Sequence, residues 1–127
     1  MSEVSAVLFA KDHAKVARFY SEALGFARIS GDAEHSVLNC QGFDLIVHQI
    51  PGQFLEPGND NDAPGRRDNG PIRLDFPVRS IEDSRTIAAR LGGRLDASPP
   101  PWAPADANFR LGHDPEGNVF RVIERVD

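Results

Sequence analysis

His48, Arg73, Asp75, Arg121 and Trp102 are the side chains of this sequence whose types and placement best suit chemistry. His48 carries an imidazole, the side-chain type best suited to acid–base work. Arg73 and Arg121 are permanent cations with planar forks of donors, suited to gripping a carboxylate or phosphate through two bonds. Asp75 lies two residues from Arg73, so an internal ion network competes with that clamp, because charges taken out of water must be paired. Both can coexist, with one arginine on Asp75 and the other on a ligand. Trp102 stands in the proline-stiffened "SPPPWAPAD". There it stacks on a flat ligand, plugs a gap between loop and sheet, or enters a subunit contact. His13 and His35 read as surface or turn positions, and His113 as bonded to the turn after it. The single Cys40 excludes an intramolecular disulfide and a multi-cysteine zinc site, and no Gly-x-Ser-x-Gly nucleophile motif occurs.

The elements that position these residues repeat. "KDHAKVARFYSEALGF" offers Asp12 as N-cap, an apolar stripe of Val16, Phe19, Tyr20, Ala23 and Leu24, and Gly25 as a stop. "RSIEDSRTIAARLGGR" offers Ser80 as N-cap, Glu82 and Asp83 in the first turn, Ile87, Ala88 and Leu91 as the stripe, and Gly92-Gly93 as the stop. The two Leu-Gly pairs lie 67 residues apart, about half the chain. An alternating strand precedes each helix ("VSAVLFA", "PIRLDFPV") and three strand-like runs follow it, so a β-α-β-β-β unit occurs twice. Between the units, the 20 residues "PGQFLEPGNDNDAPGRRDNG" read as a loop, either a connector or a flap. "DPEG" at 114–117 reads as the turn joining the last two strands.

Strand alternation sorts the faces. Ile72, Leu74, Phe76 and Val78 should pack on the helices, leaving Arg73 and Asp75 on the opposite face. Phe120 and Val122 share the helix side, with Glu124 solvated at the strand end, while Val119, Arg121 and Ile123 turn away. Ser5, Val7 and Phe9 separate from Val4, Ala6 and Leu8, and Asp44, Ile46 and His48 from Leu45 and Val47.

Composition narrows the function classes. A chain of 127 residues, 40% hydrophobic and 26% charged, fits one globular domain. The net charge of -5 argues against nucleic acid. No apolar run is long enough to span a bilayer, and the basic region of a signal peptide is missing, so a cytoplasmic location is expected.

The doubled plan, "ARFYSEALGF" and the terminal "HDPEGNVFRVIE" resemble the vicinal oxygen chelate superfamily, the group of glyoxalase I, extradiol dioxygenases, and bleomycin and fosfomycin resistance proteins. The resemblance runs from about Val4 to Val126. It implies an α+β fold, two tandem β-α-β-β-β modules forming a cupped mixed sheet with helices outside. One domain is expected over 1–127, with module one at about 4–50, a linker at about 51–70 and module two at about 71–126. It also implies a ligand on the concave face and a homodimer. The positions matching the superfamily's metal ligands are Ser5, Ile46, Arg73 and Arg121. None suits a divalent ion, and two are cations. No metal and no cofactor are therefore expected; a metal would need an unorthodox set such as His48, Asp75 and His113. The expected function is metal-independent binding of a small organic molecule, anionic where the arginines meet it. Ser5, Phe9, Ile46, Arg73, Asp75, Trp102 and Arg121 would touch it. The alternative is a lyase, isomerase or oxygenase with His48 as base and an arginine at an oxyanion, with or without a divalent metal. A regulatory or scaffold domain with an empty cup is a third reading.

Overall fold

A computed structural model describes residues 4–55 and 65–125; the middle of the linker, 56–64, lies outside the described residues. Module one consists of β1 (Val4–Ala10), α1 (His13–Leu24), β2 (Ala27–Gly31), β3 (His35–Cys40) and β4 (Phe43–Gln49). Module two consists of β5 (Asp75–Val78), α2 (Ile81–Arg90), β6 (Arg94–Leu95), β7 (Phe109–His113) and β8 (Val119–Glu124). Each module builds one mixed sheet, ordered β1-β4-β3-β2 and β5-β8-β7-β6. The first strand of each pairs parallel with the last, and the remaining pairs are antiparallel. The fold is thus the α+β, two-module repeat that the sequence implied.

The helices end where local chemistry ends them. Asp12 accepts from the Lys15 N–H at 3.2 Å, Ser80 from the Asp83 N–H at 3.2 Å, and Gly25 takes the left-handed conformation at φ 78°. The repeat extends to side chains. Gln49 at the end of β4 accepts from the His13 N–H (3.0 Å), and Glu124 at the end of β8 accepts from the Ile81 N–H (2.9 Å). Each satisfies the first helical donor, which has no partner within its helix. Glu124 is on the helix side as alternation required, but it caps α2 instead of being merely solvated.

Both modules share one core. α1 packs on β3 and β4 of its own sheet and on β5 and α2 of the other module. Tyr20 meets Phe76 and Phe120 with ring centroids 6.0 and 5.9 Å away, and Phe26 meets Phe76 at 5.1 Å. Gly93 permits this approach: a Cβ there would overlap the Phe19 ring and the His113 carbonyl. The turn after β7 fastens the modules from the other side. Asp114, fully buried, accepts from the Tyr20 hydroxyl at 2.8 Å and from the Glu116 N–H at 2.8 Å. The Glu116 carboxylate accepts from the Lys11 and Asp12 N–H groups at 2.8 and 2.9 Å, beside the start of α1.

Two sequence expectations change. The ladder with β8 begins at Asp75, so residues 72–74 precede the strand, and Ile72 is 76% exposed instead of packing on a helix. Pro71 lacks a donor, and a turn closes just before it through the Gly70 N–H on the Arg67 carbonyl. The second strand of module two shrinks to Arg94–Leu95, ahead of the proline run at 99–101. The linker's far end is not loose: Arg66 forks onto Asp96 at 2.7 and 3.0 Å, and the Arg67 N–H reaches the Gly117 carbonyl.

Candidate functional site

With the helix-side faces buried against each other, the opposite face of each sheet is left open. Alternation in β5 and β8 puts Phe76, Val78, Phe120 and Val122 into the core and leaves Asp75, Val119, Arg121 and Ile123 on the open face of sheet two. Asp75 and Arg121 are register partners. Arg121 donates from Nε to one carboxylate oxygen at 3.0 Å and from Nη2 to the other at 2.6 Å. These bonds raise the Arg121 pKa and hold it protonated. Its Cζ lies 4.9 Å from the centroid of the Phe109 ring, and Trp102, 70% exposed, tilts against the other side chain of that pair at 5.7 Å from Phe109. Asp75, Arg121, Phe109 and Trp102 therefore form one continuous shelf.

Sheet one presents Ser5, Val7 and Phe9 from β1 with Ile46 and His48 from β4, because Leu45 and Val47 point into the core. Val7 and Phe9 are 52% and 59% exposed. Phe9 and His48 are register partners with centroids 5.8 Å apart. The His48 Nδ1 sits 2.8 Å from the Gln49 carbonyl, which can only accept, so Nδ1 carries the proton and the Nε2 lone pair is free in the neutral ring.

The structure separates the two arginines that the sequence paired. Arg121 lies on the open face, but Arg73 stands before the strand, donates to the Asp68 carbonyl at 3.3 Å, and lines a cavity of about 350 Å³. That cavity runs between β1 and the 67–74 segment, with Leu8, Leu45, Phe76 and Phe120 in its apolar wall. His13 is no surface residue: it is 8% exposed, and its Nε2 lies 2.9 Å from the Ala33 carbonyl. His35 belongs to β3, while His113 bonds to the turn through Nδ1 and the Asp114 carbonyl, 2.9 Å apart. Sequence reasoning passed over Phe109, although its place two residues before Leu111 and four before His113 fixes its face by alternation.

A divalent ion finds no fit at the positions matching the superfamily's ligands. Ser5 offers a hydroxyl, Ile46 no donor, and Arg73 and Arg121 are guanidiniums, one locked on Asp75. The set His48, Asp75 and His113 does not converge either. Among the described residues, no group of three or more His, Cys, Asp or Glu side chains could hold a metal ion.

Comparison with known proteins agrees with the architecture. A family model described as a glyoxalase-like domain matches residues 5–123. A glyoxalase/bleomycin resistance protein/dioxygenase family enzyme from Burkholderia phytofirmans PsJN is similar at 19% identity and a TM-score of 0.65, over 99% of this chain and 100% of that one. A glyoxalase/bleomycin resistance protein from Albidiferax ferrireducens T118 is similar at 15% identity and TM-score 0.65, over 97% and 98%. The fosfomycin resistance protein FosX from Listeria monocytogenes, complexed with Mn(II) and sulfate, is similar at 11% identity and TM-score 0.66, over 99% and 90%. No curated protein matches the chain. At these identities the solved structures speak to the fold alone.

Proposed function

The chain belongs to the glyoxalase-like family of the vicinal oxygen chelate superfamily, and from that premise we propose that it binds a small organic molecule on its open sheet faces, without a metal at the superfamily's ligand positions. The observation that carries this reading is the shelf of Trp102, Phe109 and the Asp75–Arg121 pair. An indole 70% exposed on one side and a guanidinium over a phenyl ring on the other suit a flat, ring-bearing ligand. Asp75 takes Nε and one N–H of Nη2 of Arg121, which leaves three of its five N–H donors, two on Nη1 and one on Nη2, for oxygen acceptors of the ligand. The ligand class narrows from an anion gripped by two arginines to a planar molecule carrying a carbonyl or carboxylate oxygen. Phe9, His48, Ser5 and Ile46 would meet it from a second copy of the chain, whose open sheet one covers the shelf in a homodimer.

Trp102 is the only tryptophan, so its fluorescence reports on the shelf directly. Titration with aromatic carboxylates and their neutral amides should quench it saturably, equally before and after treatment with a chelator. Arg121→Ala should weaken carboxylate binding by about tenfold, the worth of a charge-assisted hydrogen bond. Quenching that requires added metal, or that is unchanged in Arg121→Ala, refutes the reading. The second reading, a lyase, isomerase or oxygenase, is favoured by the free Nε2 of His48. Substrate turnover lost in His48→Gln with quenching retained would establish it.

A further inference from the structure

We propose that His35 and His48 form a two-imidazole site for a borderline divalent ion, Cu²⁺ above all, separate from the shelf and from the superfamily's ligand positions. The two residues are directly opposite each other in the antiparallel β3–β4 ladder. The neighbouring pair is joined by the Gln49 N–H on the Glu34 carbonyl at 2.7 Å, so the alternation of the ladder makes His35–His48 a non-hydrogen-bonded pair. Side chains of such a pair stand closest together, and these two rings are stacked with centroids 6.2 Å apart and planes 15° from parallel. Both side chains belong to the open face, away from the core residues Ser36, Leu38 and Val47.

The outer hydrogen bonds match those of metal-bound imidazoles, whose second ring nitrogen usually donates to a carboxylate or a backbone carbonyl. His35 Nδ1 is 2.9 Å from Asp32 Oδ1, and His48 Nδ1 is 2.8 Å from the Gln49 carbonyl. The Glu34 and His35 N–H groups donate to the same Asp32 oxygen at 2.8 and 3.0 Å and fix the carboxylate in that position. Both tautomers are thereby set with the proton on Nδ1 and the lone pair on Nε2, and neither Nε2 has a partner among the described residues. At metal–nitrogen distances of about 2.0–2.1 Å, two imidazoles sharing one ion hold their centroids roughly 4.5–6.4 Å apart, so the site closes when the two rings turn their Nε2 lone pairs toward a common point. Two imidazole donors suit Cu²⁺, Ni²⁺ and Zn²⁺, with Cu²⁺ the tightest by the usual order, and disfavour Mg²⁺ and Mn²⁺. Two protein ligands leave the ion's remaining positions open to water or to a chelating molecule.

The test is titration of the metal-free full-length chain with Cu²⁺ at pH 7.5, read by calorimetry and by the nitrogen superhyperfine pattern in electron paramagnetic resonance. One equivalent per chain with a two-nitrogen pattern is expected. His35→Gln and His48→Gln should each reduce the pattern to one nitrogen and weaken binding at least tenfold, and Mn²⁺ should not compete. Asp32→Asn should weaken binding by about 10–100-fold while keeping two nitrogens. A pattern unchanged in either histidine variant, or binding equal in the double variant, overturns the proposal. His35 takes no part in the proposed ligand site, so His35→Gln separates the two readings: it should change the copper pattern and leave ligand quenching on the shelf intact.

Discussion

The Asp75–Arg121 pair lies on the open face of sheet two, and its energetics separate stability from recognition. Its side chains are 43% and 32% exposed, so solvent screens the pair and its net worth to folding is at most about 1 kcal/mol. Its effect on binding is larger, because Asp75 occupies two of the donors that would otherwise face a ligand oxygen. Asp75→Asn should therefore raise affinity for an aromatic carboxylate several-fold and leave affinity for the neutral amide unchanged. Its urea midpoint should move by no more than the value above implies. Equal affinities for the carboxylate in both proteins would show that Arg121 does not meet the ligand. The parity of Arg121 and of its partner was legible from alternation alone. Arg73 was not, because alternation holds only inside a strand and nothing in "GPIRLD" marks where the ladder begins.

Between elements, the hydroxyl of Tyr20 joins α1 to the turn after β7 across 94 residues of sequence. Burial foremost, and then the Asp114 carboxylate beside it, raise the Tyr20 pKa well above 10.0. A phenol whose pKa is higher folded than unfolded stabilises the fold fully below its unfolded pKa. That contribution is lost as pH climbs through the folded pKa. Tyr20→Phe should cost about 1–2 kcal/mol at neutral pH, since it removes one donor from a buried carboxylate that keeps others. The gap between wild type and variant should shrink once pH passes about 10. Urea unfolding at a series of pH values reads both effects, and a gap that stays constant to high pH would contradict them. Helix ends were readable because Asp12, Ser80 and Gly25 act within one turn. The caps from Glu116 and Glu124 were not, since they reach across 104 and 43 residues and no local pattern encodes such contacts. His13 was misplaced for the same reason: its burial comes from the β2–β3 turn folding back on it.

At the scale of the whole molecule, the consequence of one shared core is two uncovered faces. Val7 and Phe9 on the open face of sheet one and Trp102 near sheet two are all more than half exposed. Val7 and Phe9 stand beside Ile46 of β4, so the open face of sheet one carries an apolar strip along β1. β1 is also an edge strand, paired only with β4, so its outer backbone groups are open to another chain. A second copy that covers these faces removes both liabilities and brings Phe9 and His48 of one protomer toward the Trp102 shelf of its partner. The net charge of -5 per chain opposes association, so added salt should strengthen the dimer by screening. Sedimentation should show a dimer whose dissociation constant falls as salt rises, with thermal unfolding shifting upward with protein concentration. Phe9→Glu places a charge on the open face without touching the core, and should yield a folded monomer with an unchanged circular dichroism spectrum. That monomer should also bind the aromatic carboxylate more weakly, because in the proposed dimer half of the ligand's surroundings would come from the other copy. A wild-type chain that is monomeric at every concentration, or a Phe9→Glu monomer that binds as tightly as the parent, would confine the site to one sheet and remove the homodimer from the proposal.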